Sequence, residues 1–367
     1  MGPRIRGLLL GTAVAAGLAL GTALAAEEKV VNVYNWSDYI GEHTIADFEK
    51  ETGIKVRYDV YDSNETLEAK LFAGKSGYDV VSPSSGFLGR QIKAGIYQKL
   101  DKSKMPNLAG LDPELMKRLE PVDPGNQYAT IYAWGTVGLG MNIDKIKQRM
   151  PDAPIDSLDL IFKPENAKKF ADCGIAMLDS PTDIIEVMLN YLGKSPYSDK
   201  KADIDAAEKA LLAIRPYVKY FHSSRYIDDL VNGELCLVLG WSGDVFIAAG
   251  RAEEAKNNVH LEYHIPKEGT QIFFDTLAIP KDAPHPENAM AFINYTLKPE
   301  VEAAFTDFVK YPNAVTASIP LIDKDITADK AIYPPPEIMA KLFPDKIASP
   351  ALDRLRTRAW TRVKTGK

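Results

Sequence analysis

Histidine is scarce in this chain, at five residues in 367, and cysteine scarcer still, at two. No H-E-x-x-H pair, glycine-rich phosphate loop or dinucleotide fingerprint occurs, so metalloprotease, P-loop and nicotinamide-enzyme readings have no anchor. Gly240-Trp241-Ser242-Gly243 lacks the second spacer of a nucleophile elbow, and nothing marks a general base for it. His260, Glu262 and His264 would share one face of a strand and so offer metal ligands, but a solvated polar face opposite Val259, Leu261 and Tyr263 is the simpler reading. Positive charge is also in deficit, with 44 basic against 50 acidic residues and a net charge of −6. That balance argues against nucleic acid and favours cationic partners. Solenoid repeats and low-complexity tracts are absent.

Long apolar runs are missing after the first 25 residues. That opening stretch has Arg4 and Arg6, an uncharged apolar run rich in Ala, Gly and Thr, and small residues at Ala23-Leu24-Ala25. This is the three-part pattern of a secretory leader, residues 1–25, cut before Ala26. A membrane anchor would need about 20 strongly apolar residues, and no Cys follows to carry a lipid. The mature chain is expected to be exported and soluble. Its remaining length, about 340 residues, exceeds what one hydrophobic core usually organises, so two lobes are expected. Export also changes the meaning of Cys173 and Cys236: an oxidising compartment favours a disulfide closing a loop of about 60 residues, two buried free thiols being the alternative.

Val30 to Tyr34 reads as a buried strand, His43 to Thr52 as a helix stopped by Gly53, and Ile54 to Val60 as an alternating strand. Ser63 or Asn64 caps a helix carrying Leu67 and Leu71, before the apolar Tyr78 to Val81. A β-α-β-α-β order implies a mainly parallel sheet flanked by helices. The glycine-rich Gly135 to Asn142 reads as a crossover between lobes, and Val259 to Ile265 as a strand returning to the first. The tail from Asp353 to Lys367, with Leu352, Leu355 and Trp360 as an apolar stripe, is expected to dock as a helix.

Three polar clusters share one address, the carboxyl end of a strand: Trp36-Ser37-Asp38-Tyr39, Ser82-Pro83-Ser84-Ser85 and Trp241-Ser242-Gly243-Asp244. Ligands of parallel α/β sheets bind there. A fourth, Phe273-Phe274-Asp275-Thr276, sets one carboxylate in an apolar stretch. Helix capping is the plain explanation for any one of them. Two Trp-Ser-Asp clusters in what read as separate lobes point instead to one ligand gripped from both sides. Asp38, Asp244 and Asp275 stand in segments without a basic residue, and a closed cleft would have to neutralise them with a cation. Aromatic faces attract ammonium groups and cover methylenes. The chemistry therefore fits an organic cation with an apolar body; a hydrolase of a cationic or glycan substrate is the competing class, and it lacks a positioned base.

Beyond these clusters, VYNWSDYI, FEKETGIKV, YDVVSPSSGFLGRQ, FHSSRYIDDL, LGWSGDVF, IPKEGTQIFFDTLAIP and RTRAWTRVKTGK run collinearly from Val30 to Lys367. Over that span the chain resembles the periplasmic polyamine-binding proteins of ABC importers, especially the putrescine-binding branch. The resemblance implies a two-lobed periplasmic-binding fold of type II with crossover strands, divided as 26–136 plus 258–310 and 137–257 plus 311–367. It implies no catalysis, no cofactor and no metal, a monomer in the periplasm, and a membrane permease as partner, although a sensor partner would use the same closed surface. Position by position it makes Ser37, Ser84, Asp244 and Asp275 the polar contacts to two ligand amines. Trp36, Tyr39, Trp241, Phe273 and Tyr311 become the aromatic box around the methylenes, and Asp38 a cleft carboxylate. Asp183 falls where the branch often carries Glu, Gly86 where a Ser is expected, and Asp345 where an apolar residue is expected; Cys173 and Cys236 match a structural pair. Asp244 beside Trp241, and Phe273 in place of Trp, favour a diamine. Asp345 pulls toward a longer ligand, leaving spermidine, cadaverine and agmatine as alternatives to putrescine.

Overall fold

The computed structural model describes Gly2 and residues 27–344 and 346–367, so the expected leader, Gly2 apart, and the substitution noted at Asp345 lie outside the described residues. Strand β1 (Val30–Trp36) pairs in parallel with β2 (Lys55–Tyr61) and with the short β3 (Val80–Val81). Between them run helices α1 (Thr44–Thr52) and α2 (Asn64–Phe72). Gly53 ends α1 in the left-handed region at φ 70°, and Ser63 Oγ accepts the Thr66 N–H to start α2, both as the sequence reading expects. α3 (Ser85–Lys93) follows β3.

The wholly buried β4 (Ala129–Asn142) is the structural axis. Its residues 129–136 pair with β9 (Gln271–Ala278), and its residues 137–142 pair with β7 (Leu237–Trp241) and β8 (Leu261–His264), all antiparallel. β5 (Ile175–Met177) joins β7 and β6 (Tyr220–Phe221) in parallel, while β10 (Phe343–Pro344) lies parallel to β9. One strand thus passes from a β2-β1-β3-β9 sheet into a β7-β5-β6 sheet, giving two lobes joined by a crossover. The glycines of β4 permit close approach: a Cβ on Gly135 would stand 2.7 Å from the Phe273 ring and 2.8 Å from that of Tyr311. Two later segments lie across the lobes: β8 pairs with the same half of β4 as β7 does, on its other edge, and Asn313 and Val315 bridge to Ala133 and Leu111.

The second lobe carries α4 (Pro181–Tyr191), α5 (Lys201–Ile214), α6 (Tyr226–Val231) and α7 (Ser242–Ala255); α8 (Pro299–Val309) packs on α7, and the tail forms α9 (Pro350–Thr365) against α4 and α5. Cys173 and Cys236 are disulfide-bonded, 63 residues apart in sequence, and join the approach to β5 to the approach to β7. His260 pairs with Asp144 at 2.6 Å and His264 with Glu262 at 2.8 Å, so the alternating histidines turn to separate carboxylates and do not converge.

Candidate functional site

Between the lobes lies a narrow cavity at the carboxyl ends of β1, β3 and β7, where parallel sheets expose helix N-termini to a ligand. Ten of the eleven residues singled out in the sequence line it: Trp36, Ser37, Tyr39, Ser84, Asp183, Trp241, Asp244, Phe273, Asp275 and Tyr311. The simpler reading of capping does not hold for the first cluster. α1 begins only at Thr44, after His43, and neither Ser37 nor Asp38 caps it; Ser37 Oγ instead donates to the Tyr61 carbonyl at 3.3 Å.

Two buried carboxylates organise the cavity. Asp275 on β9 accepts from Ser84 Oγ at 2.6 Å and from the Tyr39 hydroxyl at 2.9 Å. Ser84 is itself fixed by Asn64, which donates to its Oγ and accepts its N–H, both at 3.0 Å. Asp244, in the first turn of α7, accepts from the Tyr226 hydroxyl at 2.6 Å and the Tyr311 hydroxyl at 2.9 Å. Tyr311 reaches it because Gly243 is bare: a Cβ there would lie 2.1 Å from the Tyr311 ring. Burial pushes Asp244 up to about 7 against the two tyrosine hydroxyls, which favour its ionised form. Burial first, then the carboxylates, holds Tyr39, Tyr226 and Tyr311 well above the usual phenol range, so these three remain neutral donors.

Aromatic rings close the space between the carboxylates. Trp36, anchored by Nε1 to the Ser82 carbonyl at 2.8 Å, meets Trp241 edge-on at 5.6 Å across the cleft. Trp241 and Tyr311 both lie edge-on to Phe273 at 6.5 and 6.2 Å. Trp241 Nε1 donates to Asp183 Oδ2 at 3.2 Å, so the shorter acid at this position still reaches the box. Among the described residues four aspartates line the cavity, Asp62 being the fourth, and no Lys or Arg does.

Asp38 departs from the expectation. It does not line the cavity, adopts a left-handed backbone at φ 55°, and meets Arg251 of α7 at 2.6 Å on the surface. The base that neutralises it stands 213 residues away, where inspection of its own segment could not find it. Sequence reasoning also missed Tyr226, Asn64 and Phe87. The segment FHSSRYIDDL contained a signal for Tyr226, an aromatic opening a helix beside the Ser223-Ser224 pair that lines the same cavity.

A model of the family described as bacterial extracellular solute-binding protein matches residues 43–334. The chain is 56% identical over 355 residues to the putrescine-binding periplasmic protein SpuD of Pseudomonas aeruginosa, covering 96% of each. It is 51% identical over 365 residues to the putrescine-binding periplasmic protein PotF of Escherichia coli, covering 99% of this chain and 98% of that one. Among solved structures, the spermidine/putrescine ABC transporter substrate-binding protein PotD of Streptococcus pneumoniae superposes with a TM-score of 0.73 at 26% identity, covering 92% of this chain and 99% of that one. Two lobes, a crossover strand, a cleft at the strand ends and full-length similarity agree: the chain belongs to the bacterial extracellular solute-binding proteins.

Proposed function

We propose that this protein is a periplasmic receptor that holds a polyamine, putrescine first, between its lobes and presents it closed to an ABC permease. The carrying observation is the cavity's charge: among the described residues four aspartates, no Lys or Arg, and an aromatic wall line it. Such a site is unfavourable when closed and empty, because like charges held close together repel, and favourable around a diammonium ion. Asp275 with Ser84 and Asp244 with Tyr226 and Tyr311 take one amine each, while Trp36, Trp241 and Phe273 cover the methylenes. The putrescine named in SpuD and PotF, and the spermidine or putrescine named in PotD, are the same ligand chemistry. Spermidine, cadaverine and agmatine are the nearest alternatives. The receptor acts as a monomer without cofactor or catalysis. Among the described residues no helix is long and apolar enough to cross a membrane.

Each jaw holds part of the site, so ligand stabilises the closed state through contacts that exist only there. We assign residues 26–136 and the later segment from β9 to the Asn313 bridge to one jaw. The other comprises residues 137–257, β8 and the α9 tail. Calorimetry of refolded, ligand-free protein against putrescine, cadaverine, spermidine, spermine and agmatine tests the reading; binding of none rejects it, and conversion of any of them would return the protein to the hydrolases.

Two smaller effects accompany it. Trp36→Ala should weaken every polyamine by about 3- to 30-fold, the range of one cation–aromatic contact. A loss confined to one ligand would show that Trp36 reads length. Arg251→Gln should speed ligand release by at most about fivefold, because the Arg251–Asp38 pair, 38% and 41% exposed, contributes less than about 1 kcal/mol after solvent screening. Stopped-flow release rates of the two proteins should converge at high salt.

A further inference from the structure

α9 contributes no side chain to the cavity, yet one stripe of it ends on the residues that build the cavity wall. Asp353, Arg356, Trp360 and Lys364 follow at spacings of three, four and four, which places them on one helix face. Asp353 Oδ2 accepts from Arg90 of α3 at 2.8 Å. Arg90 is gripped through two nitrogens by Glu68 of α2, at 2.6 and 2.7 Å, and its guanidinium lies over the ring of Phe87, 3.8 Å from the centroid. Phe87 lines the cavity. The chain leading into α9 is seated in the same place: a Cβ on Gly89 would stand 2.5 Å from Ile347 Cδ1.

One turn further, the buried Arg356 stands 2.8 Å from Glu186 Oε1, and Gln271 donates to the other Glu186 oxygen at 3.2 Å. Glu186 lies one turn beyond Asp183 on α4, and Gln271 opens β9, the strand of Phe273 and Asp275. Next, Trp360 Nε1 donates to Asp179 at 2.7 Å and Lys364 pairs with the same carboxylate at 2.8 Å. Asp179 precedes Ser180, the cap of α4, whose Oγ accepts the Asp183 N–H at 3.3 Å. Each partner of the stripe is therefore in contact with, or within one turn or four strand residues of, a lining residue. Under the jaw assignment proposed above, the first contact also joins the second jaw to the first, so opening the cleft would part it.

We propose that α9 is a strut that sets the wall formed by Phe87, Ser180 and Asp183, and that Asp353 and Arg356 are positioning residues for ligand length. The proposal rests on the polyamine reading above. Arg356 carries a buried charge whose loss risks the fold, so the test uses Asp353, which is partly exposed. Calorimetry with putrescine and cadaverine is run on wild type, Asp353→Asn, Asp353→Glu and, as a control on the exposed face of α9, Arg358→Gln. Asp353→Asn should lose about tenfold in putrescine affinity, the scale of one charge-assisted hydrogen bond. Its preference for putrescine over cadaverine should shrink, with the unfolding midpoint of the empty protein unchanged. Asp353→Glu should recover most of both, and Arg358→Gln should match wild type. An unaltered affinity and preference in Asp353→Asn overturns the strut while leaving the polyamine reading intact; a wild type that binds neither diamine overturns both.

Discussion

Asp244→Asn is expected to cut diamine affinity at least a hundredfold. Removing one partner of a buried ion pair costs about 3 kcal/mol or more, and each 1.4 kcal/mol is about tenfold. The substitution keeps shape and leaves an oxygen for the Tyr226 or Tyr311 hydroxyl, so the loss falls on the ligand's charge. The empty protein should respond the other way. Burial raises Asp244 to about 7, above its unfolded value, so the protonated form is the one the fold favours. Its contribution to stability is fully present below the unfolded carboxylate range and is lost as pH rises through about 7. Asn removes that loss, and the unfolding midpoint of the ligand-free variant at pH 8 should equal or exceed that of wild type. The same titration couples to binding: below about pH 7 the carboxyl must release its proton before it can pair with an ammonium. Wild-type affinity should then fall by up to about tenfold per pH unit, with proton release seen as a buffer-dependent heat. A variant that binds as tightly as wild type, or a wild type whose affinity is flat from pH 5 to 8, would detach Asp244 from the ligand.

Much of this site could be read in the chain because its residues stand in short clusters at strand ends. Trp36 to Tyr39, Trp241 to Asp244 and Phe273 to Asp275 each carry several lining residues within four positions, and strand periodicity locates the ends. Relations between distant segments were not legible. Asp38 reads as a cleft carboxylate until Arg251 is seen beside it. The position of Ser84 depends on Asn64, twenty residues earlier, whose side chain in the sequence looks like an ordinary helix cap. Tyr226 opens its helix beside the lining Ser223-Ser224 pair, but nothing in that segment names Asp244 as the acceptor of its hydroxyl. The α9 stripe is visible as spacing, but its charges look like a solvated face until Arg90, Glu186 and Asp179 are found opposite. Local periodicity specifies which residues point inward; which inward residues meet is decided by packing of whole elements.

Replacing both Cys173 and Cys236 by Ala is expected to lower the unfolding free energy by about 4 kcal/mol, the chain-entropy value for a loop of this length, while leaving diamine affinity unchanged. The two expectations separate because of where the bond sits. It ties the chain entering β5 to the chain entering β7, whereas Trp241 closes the other end of β7 and Asp244 follows it, about 15 Å away at strand rise. β5 and β7 are also parallel neighbours along their length, so register at the cleft end is held by the ladder and by Tyr226, whose hydroxyl accepts the Trp241 N–H at 3.2 Å. The loop between the cysteines contains α4, α5 and α6, and so brings Asp183 and Tyr226 to the cleft. Without the bond this excursion regains freedom in the unfolded state, but its native contacts remain. Urea unfolding of the empty protein and calorimetry with putrescine should therefore diverge, the first shifting strongly and the second not at all. A parallel loss of affinity would mean that the disulfide holds Asp183 and Tyr226 in place through the second lobe, making it part of the binding apparatus.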